Sequence, residues 1–396
     1  MHNVNKVLLL ILMALFTSWF GSCRTMAAVP KSELMANLKI EAHSAILMEP
    51  VSGEVLFQRN QDQKMPPASV TKLMVMLLTL EAIDRGQLKL TDQISASPEA
   101  CRMGGSQIWL EPGEQMTVAE LLKAVCIVSA NDASYALGEQ VAGSEDNFVA
   151  LMNKRAQELG LKNTTYVNTT GLEPDSGQTG NETTAMDMAI LAREVIKHAQ
   201  VFKWTGVWID SLRGGKSFLR NTNTSVRFYR GCDGLKTGFT SQAGFCLVAT
   251  AQRDRVRLIA VVLNSPTAKT RAMDISRLFN YGFSKYKAHL VYQGGEKVGQ
   301  IKVFRGADPN VFAVVPHELT AILKRDQKGT IFKTIKLFPV VQAPLKKGQK
   351  VGEVILSISG KNCGKIDLVA AKDVKRASIF QIWGQIFRGM VGINAH

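Results

Sequence analysis

Residues 69–84 constrain the fold more than any other stretch. The run from Ser69 to Asp84 has helical spacing but is apolar on nearly every face. A helix with no polar side belongs inside a core, so other elements must cover it all round. Gly86 closes it. Pro66-Pro67-Ala68 precede it, which places Ser69 at its start. Lys72 follows three residues later, about one turn on and on the same face. A serine and a lysine therefore share one side of the N-terminus of a buried helix. With 396 residues, 46% of them hydrophobic, the chain has enough apolar surface to enclose such a helix.

The surrounding pattern reads as α+β. Ser44–Arg59 suggests two strands around Ser52-Gly53. Thr117-x-x-Glu120 is a capping-box signature for a helix running to about Val128. Asn147–Leu159 and Thr184–Ala199 are further helix candidates, separated by a polar Gly/Pro loop over Glu173–Asn181. Cys246–Thr250 and Leu258–Asn264 are β-branched runs joined by Gln252–Arg255, an antiparallel hairpin signal. Lys269–Lys285 returns to helical spacing. Helices, then a hairpin, then a helix predict an antiparallel sheet with helices against it.

Beyond residues 287–295 the pattern changes to short apolar runs separated by Gly, Pro and Asp: Gln300–Phe304, Val311–Val315, Thr330–Leu337, Val351–Ser357 and Lys365–Val369. These predict a small all-β domain over residues 290–371. Residues 373–396 form a tail in which Ile379, Trp383, Ile386 and Met390 share one helix face beside Lys372, Lys375, Arg376 and Arg388. A basic amphipathic helix of this kind suits an anionic membrane surface. Docking on the β domain or on a partner is the other reading.

The charge sorts the same way. Of the net +15, residues 285–396 carry +12, from 19 Lys and Arg against 7 Asp and Glu. The body is nearly neutral, which argues against nucleic acid as the partner and for anionic lipid or wall polymer. Residues 1–27 read as an export signal: Lys6, an apolar run from Val7 to Phe20, and small residues at Thr25 and Ala27. An uncleaved anchor, or a lipoprotein box at Phe20-Gly21-Ser22-Cys23, remain alternatives. Five cysteines lie beyond Cys23, an odd number in a chain that needs no staples, so a disulfide framework is not expected. Cys126 and Cys246 sit in apolar runs and read as buried small hydrophobes, and Cys232, four residues before Lys236, would put a thiol near that lysine. The six histidines are scattered and no metal-ligand spacing occurs, so neither metal nor cofactor is expected.

Three short motifs carry the chemistry: Ser69-Val70-Thr71-Lys72, Ser129-Ala130-Asn131 and Lys236-Thr237-Gly238. A serine is a poor nucleophile unless a neighbouring base takes its proton. Lys72 can do so if burial and a second cation, Lys236, lower its pKa. Ser129 can pass a proton to a leaving group, and the Asn131 side chain can hold a substrate amide. The Ser69 N–H at a helix start favours a developing oxyanion. Gly238 lets a substrate backbone lie close.

In this order the motifs form a set common to penicillin-binding proteins and class A β-lactamases. Longer runs make the likeness narrower. Pro67–Lys72, Ser129–Ser134, Asn168-Thr169-Thr170-Gly171-Leu172, Asp233–Gly238 and Leu278–Phe283 resemble the low-molecular-weight penicillin-binding proteins, the D-alanyl-D-alanine carboxypeptidases of the serine S11 peptidase type, from about residue 40 onward. The resemblance implies a penicillin-binding/β-lactamase-like transpeptidase fold over residues 30–287, followed by the β domain and an amphipathic anchor. It implies an exported enzyme that removes the terminal D-alanine from peptidoglycan stem pentapeptides, limiting cross-linking, and that β-lactams inhibit. Ser69 would form the acyl-enzyme and Lys72 would be the base. Ser129 and Asn131 would line one wall, and Lys236 and Thr237 would bind substrate. The N–H of Phe239 would complete an oxyanion hole with that of Ser69. Arg271 would meet the terminal carboxylate, or else be a surface salt-bridge partner. Asn264-Ser265-Pro266 departs from the Gly-containing turn expected there.

A β-lactamase would need a glutamate to activate the deacylating water. Glu173-Pro174-Asp175 is the nearest candidate but lacks the Glu-x-x-Leu-Asn run. A non-catalytic module that binds peptidoglycan or membrane through the basic C-terminal quarter is the other alternative, and the complete motif set disfavours it.

Overall fold

The computed structural model describes residues 38–173, 179–326 and 329–379, with 381 and 383. The expected export signal and most of the amphipathic tail lie outside the described residues, as does the middle of the 173–181 loop. The architecture is that of the unit from Ile40 onward.

Its centre is a five-stranded antiparallel sheet. The strands are β1 (Ser44–Met48), β2 (Val55–Arg59), β3 (Cys232–Thr240), β4 (Gly244–Arg253) and β5 (Val256–Ser265), in the order β2-β1-β5-β4-β3. The β4–β5 turn places Asp254 and Arg255 at φ of 47° and 65°, the twist a two-residue hairpin turn requires. At the far end Asn264 takes φ 54° and its side-chain amide donates to the Ala243 carbonyl at 3.2 Å. Asn therefore fills the left-handed position where a glycine was expected, because its short polar side chain bonds locally.

Side chains of β5 alternate between two apolar layers. Ile259, Val261 and Leu263 join a cluster with the long buried helix. That helix is α1 (Lys72–Asp84), entered through a 3₁₀ turn over Ala68–Thr71. It is covered by α2 (Val118–Ile127), α3 (Asn131–Ala142), α4 (Glu145–Glu158) and α5 (Ala185–Val195). The other face of the sheet packs on α6 (Ala268–Lys285) so closely that a Cβ at Gly282 would lie 2.5 Å from the Leu258 Cδ1. The predicted capping box is present: Thr117 Oγ1 accepts from the Glu120 N–H, and the Glu120 carboxylate accepts from Thr117 N–H at 3.0 Å. Helix α3 has no counterpart in the sequence pattern. Its Gly138 and Ser134 weaken the apolar stripe but allow a tight approach, with Phe148 and Thr169 only 3.3 Å from a Cβ built at Gly138.

The C-terminal part is all-β, with a separate apolar cluster. Its strands are β6 (Tyr286–Tyr292), β7 (Lys297–Phe304), β8 (Asn310–Val314), β9 (Leu319–Lys324), β10 (Phe332–Leu337), β11 (Val340–Gln342), β12 (Lys350–Ile358) and β13 (Lys361–Ala370). Strands β6 and β9 pair, and the others form a six-stranded sheet in the order β10-β12-β13-β8-β7-β11. The sequence pattern lacks β6 because it continues from α6 with no turn residue between Lys285 and Tyr286. Among the described residues no helix is long and apolar enough to cross a membrane.

Candidate active site

The helix start, the α2–α3 junction and strand β3 meet at one slot. The Ser69 turn is held by the loop over Asn168–Leu172. Gly171, at φ 77°, lies so close that a Cβ there would stand 1.9 Å from the Ala68 carbonyl oxygen. Only glycine fits that combination of space and φ. The Asn168 side chain organises the loop by accepting from the Gly171 N–H at 2.7 Å.

Lys72 is fully buried, and its Nζ donates to Ser69 Oγ at 3.0 Å and to the Thr170 carbonyl at 2.7 Å. Burial holds its ammonium well below the usual lysine range, and the like charge of Lys236 adds to this against the opposing pull of Asp132. An amine of lowered basicity within hydrogen-bond reach of a hydroxyl has the placement that a general base requires. Lys236 is also buried, donates to the Thr237 carbonyl at 2.9 Å and is pushed down to about 7 by burial.

Strand β3 is the outer edge of the sheet and lies against the Ser69 turn. A Cβ at Gly238 would meet the Pro67 carbonyl at 2.8 Å and Ser69 N at 3.1 Å. The peptide that follows Gly238 is therefore carried beside the Ser69 N–H. Phe239 itself points outward, 56% exposed and stacked on Phe245 at 4.3 Å between ring centroids. Thr237 Oγ1 and Thr222 Oγ1 share a 2.6 Å hydrogen bond, and the Thr222 N–H donates to the Ile127 carbonyl, tying β3 to the end of α2.

On the opposite wall Ser129 sits at φ 67°, a strained conformation of the kind that clusters at functional sites. Ser129 Oγ and Asn131 Oδ1 are buried and meet no hydrogen-bond partner among the described residues. Buried polar atoms of native proteins are otherwise nearly all paired, so two such acceptors on one wall suit a polar ligand. Asn131 Nδ2 is anchored on the Gly104 carbonyl at 2.6 Å.

Arg271, on α6, is 7% exposed, which removes the surface salt-bridge reading. Its guanidinium reaches the Cys246 carbonyl on β4 at 3.4 Å, and burial lowers its pKa to about 10. Cys232 does not bring a thiol to the site. Four residues along an extended strand is about 13 Å, and its thiol donates to the Gly234 carbonyl at 3.5 Å. The thiol that Lys236 senses is Cys126, from α2, a buried group pushed up to about 12 and so uncharged at neutral pH. The five described cysteines are free thiols.

The slot thus assembles Ser69, Lys72, Ser129, Asn131, Lys236, Thr237, Gly238 and Arg271, with only the Phe239 ring turned away. Sequence reasoning had assigned no role to Thr170, whose carbonyl holds Lys72, to Gly171, to Asp132 or to Cys126. Asn168–Leu172 and Asp132 stand inside the longer runs noted above, but no chemistry marks a backbone carbonyl in a sequence. Among the described residues no cluster of three or more His, Cys, Asp or Glu could hold a metal ion.

The chain is similar to known proteins along most of its length. Residues 29–267 match the peptidase S11 family, D-alanyl-D-alanine carboxypeptidase, and residues 286–376 match the C-terminal domain of penicillin-binding protein 5. The D-alanyl-D-alanine carboxypeptidase DacF of Bacillus subtilis is 40% identical over 346 residues, 86% of this chain and 88% of that protein. DacC of Escherichia coli is 32% identical over 87% of each chain. Among solved structures, penicillin-binding protein 5 of Haemophilus influenzae aligns with a TM-score of 0.64 at 31% identity, over 85% of this chain and 98% of the other. Penicillin-binding protein D2 of Listeria monocytogenes, solved in an ampicillin-bound form, is 33% identical over 62% of this chain and 99% of its own, with a TM-score of 0.57. The chain belongs to the S11 family of D-alanyl-D-alanine carboxypeptidases.

Proposed function

We propose that this serine-type carboxypeptidase removes the terminal D-alanine of peptidoglycan stem pentapeptides through an ester on Ser69. The observation that carries the assignment is the buried Lys72 Nζ, 3.0 Å from Ser69 Oγ with its basicity lowered. Neutral Lys72 takes the hydroxyl proton as Ser69 Oγ attacks the penultimate D-alanine carbonyl. The N–H groups of Ser69 and Phe239 hold the oxyanion. Lys236, Thr237 and Arg271 receive the terminal carboxylate, and Asn131 holds the amide on the acyl side. Ser129 relays the proton from Lys72 to the leaving amine, and the C–N bond breaks. Water then gives a proton to Lys72 and attacks the ester carbonyl; the bond to Ser69 Oγ breaks, and Lys72 returns the proton to Ser69 Oγ. β-Lactams enter the same step as acylating inhibitors. Loss of the donor D-alanine limits cross-linking.

The mature chain, incubated with a pentapeptide ending in D-Ala-D-Ala, should release D-alanine, and Ser69→Ala should not. Equal release by both would refute the assignment. A β-lactamase would hydrolyse its penicillin ester quickly, whereas this enzyme should hold it. Glu173, the residue that would have to serve deacylation, instead accepts from the Gln242 N–H at 3.0 Å.

The domain limits proposed are 1–27 for an export signal, 30–287 for catalysis, 290–371 for the β domain and 373–396 for a membrane-associating helix. The enzyme would work at the outer face of the cytoplasmic membrane, held there by the tail. The concentration of positive charge in residues 285–396 supports this reading. Deleting residues 373–396 should reduce binding to anionic vesicles, and unchanged binding would remove the anchor.

A further inference from the structure

Trp109 is 75% exposed, yet its backbone sits at φ 58°. A bulky residue in the left-handed region is strained, and such strain persists only where the surroundings over-determine it. Here three groups do so. The buried Asp132 carboxylate accepts from the N–H of Ile108 and of Leu110, both at 3.1 Å, the residues on either side of Trp109. Arg213, paired with Glu114 at 2.7 Å, donates to the carbonyls of Ile108 at 3.0 Å and Trp109 at 3.3 Å. The Asn131 N–H donates to the Ser106 carbonyl at 2.7 Å. Residues 104–110 are thus fastened along the Ser129–Asp132 wall, and the fastening holds the indole out in solvent rather than burying it.

We propose that Trp109 is a specificity-determining residue that receives the side chain of the residue preceding D-Ala-D-Ala, and that it selects an aliphatic stem ending in an ammonium, the side chain of a diamino acid. The inference rests on the carboxypeptidase reading above. With the terminal carboxylate on the Lys236–Arg271 side and the acyl-side amide on Asn131, the upstream part of the peptide leaves the slot past Asn131. The segment fastened there is the one that displays Trp109. The indole face covers methylene groups and attracts an ammonium through its quadrupole. The charge of Arg213 is met by Glu114, while Glu111 adds an exposed carboxylate two residues on. The lip therefore favours a cation.

The test measures kcat/KM for D-alanine release from three peptides, with L-Lys, Nε-acetyl-L-Lys or L-Ala before D-Ala-D-Ala. Wild type should prefer the Lys peptide by about two- to fivefold over the other two. In Trp109→Ala the ratios should collapse toward one. Trp109→Asn should lose the preference too, yet melt no lower than wild type, because Asn tolerates the left-handed conformation. No preference in wild type, or ratios that survive Trp109→Ala, would overturn the proposal. So would a lowered melting temperature in Trp109→Asn with all three peptides slowed equally, the signature of a structural role. Wild type inactive on every peptide would sink the carboxypeptidase reading itself.

Discussion

Replacing Arg271 by Met should raise stability while lowering activity on peptides with a free terminal carboxylate. Its guanidinium is almost fully buried, its Nε has no partner among the described residues, and its contacts are a 3.4 Å bond to the Cys246 carbonyl and the Phe245 ring at 5.8 Å. Burial lowers its pKa from 12.5 to about 10. At about 1.4 kcal/mol per pH unit, the charged group costs the folded state about 3 kcal/mol. At pH 7 the folded and unfolded chains both carry the proton, so the whole cost is present. Arg271→Met keeps the apolar stem and removes the charge. It forfeits about 1 kcal/mol of hydrogen bond and about 0.5 kcal/mol of cation–π contact. The variant should therefore be more stable by about 1–2 kcal/mol, read as a higher urea midpoint at pH 7 with an unchanged slope. Its kcat/KM should fall about 10–100-fold on a peptide with a free terminal carboxylate, the value of one charge-assisted hydrogen bond. On the same peptide amidated at its terminus it should fall far less. A destabilised variant, or equal losses on both peptides, would refute the view that this charge is kept buried for a carboxylate.

Other perturbations probe the rest of the slot. With its folded pKa at about 7 against the ordinary lysine value of 10.5, Lys236 costs most below pH 7, where both states are protonated. Between 7 and 10.5 the folded state sheds the proton first, so stability rises with pH by up to about 1.4 kcal/mol per unit from this group. Lys236→Met should flatten that window in urea titrations; an unchanged slope would refute the burial argument. Lys72→Arg carries a guanidinium that cannot give up its proton, so acylation by benzylpenicillin should slow by at least about 10³-fold. In wild type the same rate should fall as pH drops through the lowered pKa of Lys72. A near-normal rate in the arginine variant would remove Lys72 as the base. Gly171→Ala drives a Cβ to 1.9 Å from the Ala68 carbonyl at a left-handed φ, which should lower stability by about 2 kcal/mol or more and slow acylation. A near-native melting curve would show that the loop can move aside.

Much of the fold was legible because its signals are local. The all-round apolar character of Leu73–Leu80 demanded a buried helix, and Thr117 and Glu120 wrote their own cap. The β4–β5 hairpin showed in two β-branched runs. Where local signals were weak the reading failed. Helix α3 forms around Ser134 and Gly138 because neighbouring helices approach there, and β6 begins with no turn residue after α6. Both are decided by partners far along the chain, which override weak local preference.

The sequence by itself determined that Ser69 and Lys72 meet, because a serine and a lysine one helical turn apart are neighbours whatever surrounds them. It also determined the all-β C-terminal part and the segregation of charge. Only the tertiary structure decided the state of those groups. Whether Lys72 is basic or depressed depends on how completely it is buried and on how near Lys236 and Asp132 come, across gaps of 164 and 60 residues. Whether Arg271 is a surface cation or a buried one, and whether the thiol beside Lys236 is Cys232 or Cys126, turn on which side of a strand or helix faces the slot. Solvation and charge–charge energies depend on distance through space, and spacing along the chain specifies that distance only within a turn or two.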